Sequence, residues 1–396
     1  MDRPKRRLAA RAAEAEAPGE ALLGLVADAM RRRASAVHIE ATEGRLAVRL
    51  RVGGVLRKAV RLREDPAWFM AHVRAVSGLC AESRDLPQEG SFAAPGAAHG
   101  VPGEIAVAAL PVAGGDRIVL HLAQGDDHRA RFEDLGMTPA MADLYARALS
   151  RREGLILIAG TGGSGRSTTL KAGVAQLAGG GREIVGAAGW SKRPSPHVRE
   201  IDGAVSARRG PAAVLSAMLR QDPDVVLPGT VAAPEIAGQA VAAARDGRLV
   251  IATVDAPDAV QAIVRLKALK ADPFGLASAL RLVVAQHLVA RLCACRKPVQ
   301  TSGSAASLLG FDSGAVTFAP RGCQDCAGSG FAGRTGVFES VEPDDALRRL
   351  IMNGGDAAVI ASIAFRGAPN LGAAARALVR SGVTTAAEAI RLSRGG

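Results

Sequence analysis

Three short stretches carry residues whose types and spacing could do chemistry. Residues 160–168 read GTGGSGRST. A phosphate-binding loop follows G-x-x-x-x-G-K-[ST]: backbone N–H groups at a helix N-terminus cradle phosphate oxygens, a lysine adds charge, and a hydroxyl reaches Mg²⁺. Gly160, Gly165 and Ser167 stand where that pattern needs them, Gly162, Gly163, Ser164 and Thr168 fill it out, and Arg166 stands at the lysine position. Arginine is longer, planar and forked, so anion binding can survive while the grip on a terminal phosphate changes. Residues 220–229, RQDPDVVLPG, place Asp224 before an apolar run, as a Walker B carboxylate holding Mg²⁺ through water would be placed. An ordinary turn aspartate before a strand has the same appearance. Cys293-x-Cys295 and Cys323-x-x-Cys326 form two close pairs suited to a tetrahedral Zn²⁺ site, although the first is one residue shorter than the usual C-x-x-C. Buried or incidental thiols are the competing reading, and lone Cys80 reads as a core residue. The seven histidines share no metal spacing and read as structural or surface groups.

These residues need elements to position them. GLILIAG is the short apolar run of a buried parallel strand, and TTLKAGVAQLA after the loop has helical character. That strand–loop–helix order is the context a phosphate loop requires. IVGAA, DVVLPG and LVIATV are further candidate strands among Ala-rich helical stretches, which together predict a doubly wound α/β core. Upstream, residues 20–35 carry apolar positions at helical spacing, and residues 35–60 alternate as strands joined at Glu43-Gly44 and Gly53-Gly54. A helix from Pro66 to Val76, a polar LPQEGSF turn and strands around EIAVAALPV and DRIVLHLAQ complete an α+β domain. The expected organisation is a basic, Ala-rich disordered arm (1–19), an N-terminal α+β domain (20–125), a linker and helix (126–150), a RecA-like P-loop core with a parallel sheet (151–290), a small Cys-rich segment (291–340) and a helical tail (341–396).

Composition narrows the classes. The chain has 396 residues, 48% of them hydrophobic, enough for two or three cored domains. The first residues lack the apolar stretch of a signal peptide, and no uncharged apolar run suits a membrane span. The formal net charge is +12. Affinity for nucleic acid or anionic lipid is one reading of that excess. General arginine-rich usage is favoured, because the basic residues are scattered and aromatics are only 3%.

With these motifs assembled, the chain resembles the secretion ATPases that power type II secretion and type IV pilus assembly. The resemblance runs from about residue 20 to the end. Family sequences such as SDIHIEP, RVRYRVDGVL and LPQDGRF are matched by SAVHIEA, LAVRLRVGGVL and LPQEGSF. GPTGSGKSTTL is matched by GTGGSGRSTTL, RQDPDVILVGEIRD by RQDPDVVLPGTVAA, and LAQRLVRRLCPxCR by VAQHLVARLCACR. GRTGIxE reappears inside GCQDCAGSGFAGRTGVFE. The resemblance implies ATP and Mg²⁺ as cofactors, Zn²⁺ on the four cysteines, ring assembly, a cytoplasmic location peripheral to the inner membrane, and a membrane-platform partner. The family's further N-terminal platform-docking domain has no counterpart in the arm.

The departures cluster on catalysis. The acidic box IEDPVE falls on Ala187 to Lys192, with Ala188, Gly189 and Lys192 in place of carboxylates. The Walker B glutamate falls on Thr230 and the Arg-Asp after it on Ala232 and Ala233. The histidine box places Arg248 and Asp255 where histidines stand, and an arginine of the N-terminal domain falls on Ala106. The expectation is therefore a motor or motor-associated subunit with weak or lost hydrolysis, either a homo-oligomer or mixed into a hexamer with an active paralogue. The alternative is a divergent active ATPase in which Glu235, Asp255 or Asp258 supplies the missing carboxylate. A basic DNA- or membrane-binding module comes third.

Overall fold

The computed structural model describes residues 19–393 apart from 33, 43–44, 53–54, 60–61, 63, 81–84, 94–103, 114, 123–130, 189–194, 196, 202–207 and 327. The expected arm and the two turns at 43–44 and 53–54 lie outside the described residues. The chain divides into two units, Met1–Gly125 and Asp126–Gly396.

In the first unit, α1 (Glu20–Arg31) leads into β1 (Ala34–Thr42), β2 (Arg45–Val52), β3 (Val55–Lys58), α2 (Pro66–Val76), β4 (Gln88–Ala93), β5 (Glu104–Val112) and β6 (Gly115–His121). The strands form one sheet in the order β3-β2-β1-β6-β5-β4, antiparallel throughout. Period-two alternation sets its core face: Val37 opposes Leu50 and Leu120, and Ile39 opposes Val48 and Ile118. Leu22, Val26, Phe69 and Val73 from the two helices pack into the same core. The helical spacing read to residue 35 stops at Arg31, because residues from Ala34 onward are taken into pairing with β2. No side chain caps α1 at Gly19; instead the Gly19 N–H donates to His72 Nε2 at 2.7 Å, and the His72 ring stacks on Trp68. Arg74, fully buried, donates from Nε and Nη2 to the two oxygens of Asp116 at 2.9 Å each, a bidentate pairing. Cys80 corrects an expectation. It is exposed beyond the end of α2, and its neighbour Leu79 takes the core position.

The second unit runs α3 (Pro139–Ser150), β7 (Gly154–Ala159), α4 (Arg166–Leu177), β8 (Ile184–Gly186), β9 (Arg199–Glu200), α5 (Pro211–Leu219), β10 (Val225–Leu227), α6 (Pro234–Arg245), β11 (Leu249–Val254), α7 (Ala259–Ala268), α8 (Pro273–Ala279) and β12 (Leu280–Leu292). Then follow β13 (Lys297–Gln300), α9 (Gly303–Leu309), β14 (Val316–Ala319), β15 (Phe331–Val341), α10 (Asp345–Met352), α11 (Ala357–Ala364), α12 (Leu371–Arg380) and α13 (Ala386–Ser393). The large sheet has the order β15-β12-β7-β11-β10-β8-β9, parallel except for β15 at one edge. Its strands are buried on both faces. Leu155, Leu157 and Ala159 face a core built with α5, α6 and α7, while Ile156 and Ile158 face one built with α3 and α4. From β7 the chain crosses to β8 on one side, and β12 later returns to its other side. That makes β7 the switch point of the sheet, where α/β folds open a crevice at the strand C-termini. The class expected from sequence is the one observed: an antiparallel α+β unit, a parallel-sheet P-loop core, a Cys-rich segment whose cysteines flank the paired strands β13 and β14, and a helical tail. No helix among the described residues is long and apolar enough to cross a membrane.

Candidate nucleotide site

The loop at 160–168 leaves the C-terminal end of β7 and enters α4. Its glycines have a steric cause. A Cβ on Gly160 would sit 2.2 Å from Ser164 Oγ and 2.8 Å from the Gln286 carbonyl oxygen. Gly165, at φ 93°, occupies the N-cap of α4 in a left-handed conformation, and its Cβ would stand 3.0 Å from Gln286 Nε2. Gln286, buried on β12, donates from that Nε2 to the Ser164 carbonyl at 2.8 Å. Sequence reasoning quoted Gln286 inside a motif and gave it no role. The available signal was one polar amide in the apolar run of a central strand.

No side chain caps α4, so the backbone N–H groups of its first turn face the loop, and Ser164 Oγ is buried with no hydrogen-bond partner among the described residues. A helix N-terminus with these features fits an anion. Beside it lies a cleft of about 450 Å³. Its polar lining is Arg166, Ser167, Thr230 and Thr253. The rest is Leu170, Ala187, Ala188, Pro211, Val214, Pro228, Gly229, Ala232, Ala233 and Ile236, with no carboxylate among the described residues. Thr230 and Thr253 hydrogen-bond through their hydroxyls at 2.9 Å, joining the end of β10 to β11.

The other sequence-singled residues divide between the two ends of the sheet. Asp255 follows β11 and meets the loop: its Oδ1 lies 2.6 Å from Arg166 Nη1, with Arg166 16% and Asp255 63% exposed. The approach lies off the N–H direction, so the contact is an ion pair rather than an aligned hydrogen bond. Because Asp255 is mostly in solvent, such a pair contributes about 0–1 kcal/mol. Arg248 lies at the opposite, N-terminal end of β11. So does Asp224, which corrects its reading as a Mg²⁺ residue. Asp224 precedes β10, is exposed, and accepts a 2.8 Å bond from the Glu183 N–H at the start of β8. Strand polarity puts it the length of the strand away from the loop, and it ties two strand entries together. Asp258 is the N-cap of α7, accepting from the Gln261 N–H at 2.7 Å, and Glu235 is exposed on α6 outside the cleft lining. Gly189 and Lys192 lie outside the described residues. Ala106 is on β5 of the first unit.

The four cysteines converge. Cys293 Sγ lies 3.8 Å from Cys323 Sγ, Cys295 Sγ 3.9 Å from Cys326 Sγ, and Cys323 Sγ 3.7 Å from Cys326 Sγ. All four sulfurs are within 4.8 Å of one another. A tetrahedron of Zn–S bonds of about 2.3 Å has S···S edges of about 3.8 Å, so the donor set matches that ion in chemistry and size. The shortened Cys293-x-Cys295 spacing does not prevent this, because the two residues pair with different partners across the site. Burial opposes ionisation of Cys326, but N–H donors from Cys323 and Gly330, each 3.1 Å from its sulfur, bring it down to about 6. At Cys323 a backbone hydrogen bond at Cys326 favours the thiolate, yet burial and the three neighbouring thiols push it up to about 11.

Comparison with known proteins gives a consistent answer. The profile described as "Type II/IV secretion system protein" matches residues 13–391. Type II secretion system protein E of Pseudomonas aeruginosa is 34% identical over 374 residues, covering 93% of this chain and 74% of that protein. The type IV pilus assembly ATPase PilB of Thermus thermophilus is 31% identical over 354 residues, covering 86% of this chain and 39% of its own length. Among solved structures, the pilus retraction motor PilT with bound ADP superposes with a TM-score of 0.66 at 19% identity, covering 94% of this chain and 96% of that one, a likeness of fold. By the extent of the profile match and the identity to these relatives, the chain belongs to the type II/IV secretion system protein family.

Proposed function

We propose that the chain is an ATPase-fold subunit of type II secretion or type IV pilus machinery that binds ATP at the 160–168 loop and hydrolyses it weakly or not at all. The observation that supports this reading is the cleft beside the loop, whose lining among the described residues has one cation, three hydroxyls and no carboxylate. The first-turn N–H groups of α4 and Arg166 would hold the phosphates, and Ser167 would reach Mg²⁺; the metal, when bound, neutralises charge between the phosphates. Hydrolysis further needs a polarised water and groups set against the developing charge. Thr230 offers only a hydroxyl, already engaged by Thr253, and Ala188, Ala232 and Ala233 offer nothing polar. Loss of one such group typically costs about 10²–10³ in rate, and losses within one catalytic unit leave little for the remainder to contribute. Of the carboxylates that could compensate, Asp258 is spent on a helix cap, and neither Glu235 nor Asp255 is among the described residues that line the cleft. In this reading the chain works within a ring, homomeric or mixed with an active paralogue, on the cytoplasmic side of an inner-membrane platform protein. Zn²⁺ on Cys293, Cys295, Cys323 and Cys326 serves as a structural clasp.

The test is calorimetric ATP titration of the full chain alongside phosphate release with Mg²⁺. Saturable ATP binding with release at the background rate is the expected result. Mg²⁺-dependent turnover that disappears in both Arg166→Ala and Ser167→Ala would instead establish an active enzyme.

A further inference from the structure

We propose that Asp255 is a built-in competitor for the terminal phosphates of a nucleotide, holding Arg166 in the absence of ligand and yielding it when a di- or triphosphate arrives. The inference rests on the nucleotide-binding part of the reading above and goes beyond it, because it assigns a role to a residue that neither binding nor hydrolysis requires. Three observations carry it. Arg166 is the first residue of α4, and its side chain is largely withdrawn from solvent. Among the described residues it is also the one cation lining the cleft. The anion it meets is Asp255, on the loop that follows β11, the strand paired with β7 from Gly154 to Ala159. The carboxylate thus reaches the group that the loop would present to phosphate. Asp255 is itself mostly exposed, so its hold on the guanidinium is screened and a phosphate dianion can replace it. Selectivity follows from the geometry: the residue at this loop position reaches the β- and γ-phosphates. Competition therefore acts on ATP and ADP and spares AMP. The pair also accounts for the arginine: its fork reaches sideways to a carboxylate, which a compact ammonium in the same loop is less suited to do.

The experiment is calorimetry of ATP, ADP and AMP on the full chain and on Asp255→Asn, Arg166→Ala and the double variant. Asp255→Asn is nearly isosteric at an exposed site, so folding is retained; Asp255→Ala provides a second removal of the charge. Both Asp255 variants should bind ATP about three- to fivefold more tightly, with AMP changed less than twofold. In the Arg166→Ala background the gain should vanish. Equal ATP affinity in the unaltered chain and Asp255→Asn overturns the competition while leaving nucleotide binding intact. A gain that persists without Arg166 also overturns it, because Asp255 would then merely repel the ligand. Absence of ATP binding in every variant overturns both readings together.

Discussion

The phosphate loop and the cysteine centre have kept opposite halves of their chemistry. At the loop the backbone frame is intact: Gly160 and Gly165 make room, Gln286 clamps Ser164, and α4 presents an uncapped N-terminus. Among the described residues, the cleft beside the loop is lined by alanines, a threonine pair and Arg166, which meets Asp255. At the cysteine centre the frame departs from the usual spacing, yet all four donor atoms reach one tetrahedral site. A scaffold tolerates loss of reactive groups because folding depends on packing and backbone pairing. A structural metal site does not, because its ligands are themselves part of the folding energy.

That contrast can be broken most forcefully at the thiols. Cys326→Ser removes the sulfur that accepts from the Cys323 and Gly330 N–H groups. It should reduce bound zinc from one per chain to near zero and lower the stability of the second unit by several kcal/mol, read by metal analysis and thermal unfolding. If the parent and the variant both lack metal and unfold at the same temperature, the four cysteines hold no structural metal. A smaller effect is expected at the loop frame. Gly160→Ala forces a Cβ against Ser164 Oγ and the Gln286 carbonyl and should cost about 1–3 kcal/mol in chemical denaturation. Stability unchanged to within experimental error would mean that the frame is no longer under steric constraint. The smallest effect belongs to Asp224→Ala. Loss of one exposed hydrogen bond should cost about 0.5–1.5 kcal/mol and leave ATP affinity unchanged in calorimetry. A tenfold loss of affinity there would return Asp224 to the nucleotide site.

Much of this was legible in the sequence, for identifiable reasons. The apolar run before the loop, the glycines within it and the alternation in β1 and β2 are local signals, read within a window shorter than one element. Asp224 was misread because an acid before an apolar run looks the same at either end of a strand. Only the direction of β10 shows that residues before it lie away from the loop. The Arg166–Asp255 contact was invisible because it depends on β7 and β11 being neighbours, which the crossover order decides. Each residue was singled out as a departure, but nothing in the sequence indicated that the two departures meet. Cys80 was placed in the core by residue type alone, and its neighbour Leu79 took that place.

The buried carboxylate of Glu339 bears on how Asp255 can yield. On β15, its Oε1 accepts from the Ala259 N–H and its Oε2 from the Leu371 N–H, each at 2.7 Å, so one side chain moors the starts of α7 and α12. Burial raises its pKa despite these bonds, and drawing either helix away would strand a buried acceptor. At the other side, Val254 is fixed in register with Ala159, and the Pro257 carbonyl lies 2.9 Å from His287 Nε2. The Asp255 loop is thus a short span moored at both banks. In the proposed competition the mostly exposed carboxylate leaves Arg166 by turning its own side chain, a local flick with a short travel rather than a sway of the helix behind it.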